Sequence, residues 1–182
     1  MILGALLPLV LFLLPMWNIT LEAPQYPDSI GMDIWINKIT DHNPNDIKNI
    51  NLMNHYVGMR PIPEHMPEFD IFPWVILGMS GLGLVFGIIG NHRLFLAWFI
   101  LMILIGAAGM YDFYLWEYDY GHNLSDTAAI KIPGQGYQPP LFGSKQILNF
   151  KAISLPMTGA YFLVAGMVCS FLAYMLGKKK SK

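Results

Sequence analysis

The chain has 182 residues, of which 54% are hydrophobic and 13% charged, and its mean hydropathy is +0.43. That is too apolar for an ordinary water-soluble domain and fits a small polytopic membrane protein. The formal net charge of -1, with no basic cluster beyond a C-terminal lysine run, argues against nucleic acid as a partner, and the single cysteine, Cys169, excludes a disulfide framework or a thiolate metal site built from this chain alone.

The chain opens with an apolar run, Ile2 to Trp17, of about sixteen residues, short for a full span. No Lys or Arg precedes it and no small-x-small cleavage pattern follows it, which argues against a secretory signal. Residues 1–17 are expected to form an uncleaved first transmembrane helix, kinked near Pro8 and Pro15.

Residues 18–71 are polar and broken by prolines, too long for a simple hairpin loop. Within them Asp33 to Ile39 alternates loosely enough for a short strand, and Asp41-His42-Asn43-Pro44-Asn45-Asp46 has the residues of a turn leading to an N-cap. An amphipathic helix follows, with Ile47, Ile50, Met53 and Val57 at near-helical spacing, Asp46 at its positive end, and Gly58 with Pro61 to stop it.

Residues 72–114 read as a transmembrane hairpin. Its first helix is glycine-rich, and Gly83 with Gly87 would let a neighbouring backbone come close, as helices do where lipid removes the hydrophobic drive. The turn Gly90-Asn91-His92-Arg93 is so short that the two spans must be antiparallel neighbours. The second, from Leu94, leaves the lipid through an aromatic belt that carries Asp112, Glu117, Asp119 and His122. Residues 115–151 form a second polar segment, with Pro133-Gly134, Gly136 and Pro139-Pro140 excluding long regular structure. Ser154 with Pro156 reads as the start of a last helix within 152–177, followed by the lysine tail 178–182.

The expected fold is an all-α membrane protein of about four transmembrane helices, whose two long extracytoplasmic segments form a small mixed cap. The Arg93 turn and the tail Lys178, Lys179, Lys180 and Lys182 fall on one side of such a bundle, and the positive-inside rule makes that side cytoplasmic, with both termini there.

Two constellations carry chemistry. His42, His55, Met59, His65 and Met66 lie in the first outer segment, with Met53 nearby. Thioether and imidazole ligands suit Cu(I), and where cysteine is lacking, Met and His are the natural copper ligands of an oxidising compartment. Met53 also falls on the apolar helix face, where a core role is the plainer reading. The second set is Asp112, Glu117, Asp119 and His122. If the helix persists, Asp112, Trp116 and Asp119 share one face and Glu117 points elsewhere, so this is not the carboxylate-histidine pattern of a di-iron bundle. A carboxylate there can bind a metal or relay protons; acids at a span end are also often solvated or paired with lysines such as Lys131, Lys145 or Lys151. The sequons at Asn18 and Asn123 matter only in a eukaryotic secretory pathway. No P-loop, G-x-S-x-G, H-E-x-x-H or C-x-x-C-H motif occurs, which leaves nucleotide, hydrolase and c-type cytochrome readings without support.

The stretches Tyr111-DFYLWEYDYGHNL-Ser125 and Ile130-KIPGQGYQPPLFGSKQILNF-Lys151 resemble the small membrane proteins that accompany copper chaperones of the nitrous-oxide reductase accessory group in Bacteroidetes-type bacteria. The resemblance implies an accessory protein of the bacterial inner membrane that binds or positions copper for an extracytoplasmic enzyme, with other membrane or periplasmic proteins as partners. The alternative is a structural subunit of a membrane respiratory or copper-enzyme complex with no metal site of its own. An enzyme in its own right ranks third.

Overall fold

The computed structural model describes residues 1–132 and 134–180; Pro133 of the second polar segment and Ser181 and Lys182 of the tail lie outside the described residues. Three helices, α3 (Pro67–Ile89), α4 (His92–His122) and α5 (Thr158–Lys180), are long and apolar enough to cross a membrane, and the chain is a membrane protein. The N-terminal run is shorter. It forms α1 (Ile2–Leu6) and then a 3-10 segment, Leu7–Phe12, with Pro8 at the segment's first turn, where a missing N–H is tolerated. At the usual rises these eleven residues cover about 20 Å, against about 30 Å of hydrocarbon.

Small residues let α1 lie close to its neighbours. A Cβ at Gly83 would stand 2.7 Å from the Ala5 Cβ, one at Gly87 would stand 2.9 Å from Ile2, and Gly4 and Gly166 oppose one another so that a Cβ on either would meet the other's carbonyl at 2.7–2.8 Å. Gly83 also makes room for Trp98 of α4, which is fully buried and donates its indole N–H to the Met79 carbonyl at 2.7 Å. Gly90, at φ 74°, ends α3, and the Asn91 side chain accepts from the Arg93 N–H to begin α4.

The all-α expectation is overturned by a five-stranded antiparallel sheet at one end of these helices. Its strands are β1 (Trp17–Glu22), β2 (Ile30–Ile34), β3 (Ile39–Asp41), β4 (Gly143–Ile147) and β5 (Phe150–Pro156), in the order β3-β2-β1-β5-β4. The central strand β1 starts five residues after the 3-10 segment, so it reads as the tail of a span. Its partners are β2, with Ile19 opposite Met32, and β5, with Ile19 opposite Ser154. The short strand expected over Asp33 to Ile39 is in fact the β2–β3 hairpin, turned between Ile34 and Ile39.

The start assigned to the last helix is corrected in the same way. Ser154 and Pro156 belong to β5, the Ser154 hydroxyl accepts from the Trp17 indole at 2.8 Å, and α5 begins only at Thr158. A Ser-x-Pro pattern suits a helix start, but pairing along the whole length of β1 satisfies more backbone groups than one cap does.

One face of the sheet is covered by α2 (Asp46–Val57) and by the end of α4. Ile19, Ile30, Met32 and Ile34 pack there against Ile50, Ile62 and Tyr120. Asp46 holds α2 in place, since its buried carboxylate accepts from the backbone N–H of Gly31 at 2.8 Å and of Asn43 at 2.9 Å. Gly58, at φ 81°, ends α2 where a Cβ would come within 2.8 Å of Ala128. Helix α4 reaches this layer because of its length. Its 31 residues measure about 46 Å. If Leu94 to Tyr114 occupies the hydrocarbon, the last two turns, Leu115 to His122, stand clear of it and enter the cap.

Candidate functional site

Those last two turns carry one face into the cap's interior. Phe113, Trp116 and Tyr120 pack on the sheet core, and Glu117, four residues after Phe113 and three before Tyr120, must share that direction on a helix. The periodicity buries it completely: Glu117 is 0% exposed, and neither carboxyl oxygen has a hydrogen-bond partner among the described residues.

The Glu117 side chain lines a cavity of about 250 Å³ enclosed by the sheet, α2, the end of α4 and the segment from Tyr137 to Phe150. Met32 of β2, Met53 of α2 and Met59 just beyond α2 line the same cavity, with Tyr120 and Tyr137. No Lys, Arg or His is among its lining residues. The Tyr137 hydroxyl is likewise buried without a hydrogen-bond partner, whereas Tyr120 donates its hydroxyl to the Arg60 carbonyl at 2.5 Å. Burial pushes the Glu117 carboxyl up from 4.5 to about 8, and it raises the Tyr120 phenol, against the opposing influence of Arg60. The cavity therefore combines soft, uncharged sulfur atoms, a carboxyl with nothing to balance it as an anion, and a free phenol.

A loop closes one side. Gly58 turns the chain so that the Met59 N–H reaches the Asn54 carbonyl at 2.9 Å, and the Asn54 side chain, buried in α2, donates to the Arg60 carbonyl at 3.2 Å. The Arg60 guanidinium extends outward to the Asp119 carboxylate and lies over the Tyr120 ring at 5.7 Å.

The residues singled out in the sequence are divided by this geometry. Met59 lines the cavity. His55 is exposed on α2, with its ring edge-on to Tyr56. His65 pairs with Asp70 at 3.1 Å, and Met66 precedes the first turn of α3. His42 lies 3.0 Å from the Asp33 carboxylate, at the β2–β3 edge. In the acidic set only Glu117 faces inward. Asp119 is exposed and paired with Arg60, His122 contacts the Tyr118 carbonyl at 2.9 Å and stacks on the Tyr118 ring, and Asp112 is half-buried near the end of the apolar stretch. Among the described residues, no three His, Cys, Asp or Glu side chains form a metal-holding group. Gly83 and Gly87 lie far from the cap, against α1.

In the sequence Met32 and Tyr137 carry no sign of a role, and Glu117 is followed directly by the exposed Tyr118 and Asp119. The inward position of Glu117 was legible from the spacing of Phe113, Glu117 and Tyr120. Nothing local marked Met32 or Tyr137, which reach the cavity through strand pairing and through a loop docked on the end of α4, where the Tyr137 N–H donates to the Gly121 carbonyl at 2.9 Å.

No protein family, curated protein or solved structure matches this chain.

Proposed function

We propose that this membrane protein is a copper-handling accessory factor of the bacterial inner membrane, whose cap holds Cu(I) outside the cytoplasm for an enzyme of the nitrous-oxide reductase type. The observation that carries the reading is the convergence of Met32, Met53 and Met59 on one cavity. Thioethers are soft, neutral ligands that favour Cu(I) over harder cations, and they remain available where thiols are oxidised. The resemblance of residues 111–125 and 130–151 to proteins that accompany copper chaperones supports the same reading. The cap is assigned to the extracytoplasmic side because the opposite end of the helices carries Arg93 and Lys178, Lys179 and Lys180, with Gly177 packed against His92.

The test is metal analysis of the detergent-purified protein after anaerobic Cu(I) loading. The parent is expected to retain copper, and Met53→Leu with Met59→Leu to lose most of it while His55→Gln with His65→Gln retains it. The reverse pattern assigns copper to the histidine-containing segment instead.

A second reading, a structural subunit of a larger membrane complex, is favoured by a different observation. Leu52 and Tyr56 on α2 and Ile130 and Ile132 beside them are 42–53% exposed on the cap, and the Ile130 N–H donates to the Tyr56 carbonyl, so these residues form one apolar patch away from the lipid-facing helices. Under that reading the parent binds no copper and co-purifies with a membrane enzyme.

A further inference from the structure

Burying a carboxyl with neither oxygen hydrogen-bonded is unfavourable, and burying it as an anion is far more so unless a positive charge joins it. Among the described residues, four basic side chains of the cap have partners away from Glu117. Arg60 is paired with Asp119, Lys151 with Glu22, Lys145 donates to the Gln138 carbonyl and Lys131 to the Asp126 carbonyl. Glu117 thus stands in a cavity with no basic side chain among its lining residues, which include Met32, Met53, Met59 and Tyr137, whose hydroxyl is buried without a hydrogen-bond partner among the described residues.

We propose that Glu117 is the anionic ligand of this cavity and restricts it to one soft monovalent cation, with Cu(I) as the metal held. The inference rests on the copper reading above and deepens it, by naming the residue that sets the charge of the metal.

Charge decides the selectivity. One carboxylate among neutral thioethers and apolar side chains balances a single positive charge. A dication at the same place would leave one charge unbalanced in a low-dielectric interior, which is strongly unfavourable. The sulfur atoms supply the other half, since sodium and potassium gain little from thioethers whereas Cu(I) and Ag(I) gain a great deal. A purely structural Glu117 leads elsewhere. A carboxyl that only fills space is replaced by Gln without loss, because Gln has nearly the same shape and carries no charge to bury.

The experiment uses the full chain in detergent, titrated anaerobically with Cu(I) against a chromogenic Cu(I) chelator, and in parallel with Ag(I), Zn(II) and Cu(II). The parent is expected to bind one Cu(I), displaced by Ag(I), and to ignore Zn(II) and Cu(II). Glu117→Gln should weaken Cu(I) at least tenfold with an unfolding temperature at pH 7 no lower than the parent's, so that the loss is not one of folding. Glu117→Asp keeps the charge one methylene further back and should recover part of the affinity. Should Glu117→Gln bind Cu(I) as tightly as the parent while the Met53→Leu, Met59→Leu protein does not, the role given to Glu117 is wrong and the thioether reading stands. Zn(II) bound as tightly as Cu(I) by the parent would overturn the monovalent selectivity. No Cu(I) or Ag(I) bound by the parent would overturn the copper reading itself.

Discussion

Trp17 donates its indole N–H to the hydroxyl of Ser154 at 2.8 Å, tying the first residue of β1 to the middle of β5 across 137 positions of sequence. Ser154 is fully buried and its hydroxyl also donates to the Leu141 carbonyl at 3.3 Å, so one hydroxyl serves two partners. Ser154→Ala should lower stability by about 1–3 kcal/mol, because both partners are then left without it. Thermal unfolding in detergent checks this, and a variant as stable as the parent would show that the bond contributes nothing net.

Two glycines of α3 only two residues apart, and so on opposite sides of the helix, should respond oppositely to the same substitution. A side chain at Gly83 collides with Ala5 and the Trp98 indole, whereas nothing lies within 4 Å of a Cβ at Gly81. Gly83→Leu is therefore expected to destabilise the protein by at least about 1–3 kcal/mol through overpacking, and Gly81→Leu to be accommodated. Comparing the yield of monodisperse protein and its unfolding temperature separates them. Equal behaviour would mean that α1 does not pack on α3 as described.

Orientation is open to chemical labelling. In a Cys169→Ser background, Lys48→Cys on the cap should react with a membrane-impermeant maleimide applied to intact spheroplasts, and Lys179→Cys only after lysis. Both cysteines reacting from the same side would rule out the proposed arrangement.

Stability should depend on pH through Glu117. Burial raises its carboxyl from 4.5 to about 8, so between those values the folded protein holds a proton that the unfolded chain has released. Burying this residue therefore costs least below pH 4.5, and stability falls as pH rises, by about 1.4 kcal/mol per unit, until the loss is complete above about pH 8. Glu117→Gln removes this slope, so the variant's advantage in unfolding temperature should grow from pH 5 to pH 8. Parallel curves for the two proteins would show that the carboxyl is not held protonated.

The Arg60–Asp119 pair should matter little to overall stability. Both side chains are more than half exposed, and exposed pairs contribute about 0–1 kcal/mol. Asp119→Asn is expected to unfold within about 1 kcal/mol of the parent, in contrast to Ser154→Ala. A larger loss would mean that the clasp over the Met59 loop is integral to the cap.

Local signals in the sequence determined the apolar runs of α3, with its stop at Gly90, and of α4 after the short Gly90–Arg93 turn, because long uncharged apolar runs are specified residue by residue, and near-helical spacing marked the amphipathic helix Asp46–Val57 with its stop at Gly58. The sequence also held the continuation of α4 through the aromatic belt and, in the spacing of Phe113, Glu117 and Tyr120, the direction of its buried acid. Tertiary structure alone decided the sheet. Its strands are three to seven residues long, and the central one finds one of its two partners 129 to 139 positions away, so no local pattern outweighs the helix signals beside it. The cavity follows from that sheet. Met32 arrives on a strand, Met53 on a helix, Met59 on a loop and Glu117 on a helix rising from the membrane, and only the folded chain brings together side chains that sequence spacing keeps apart.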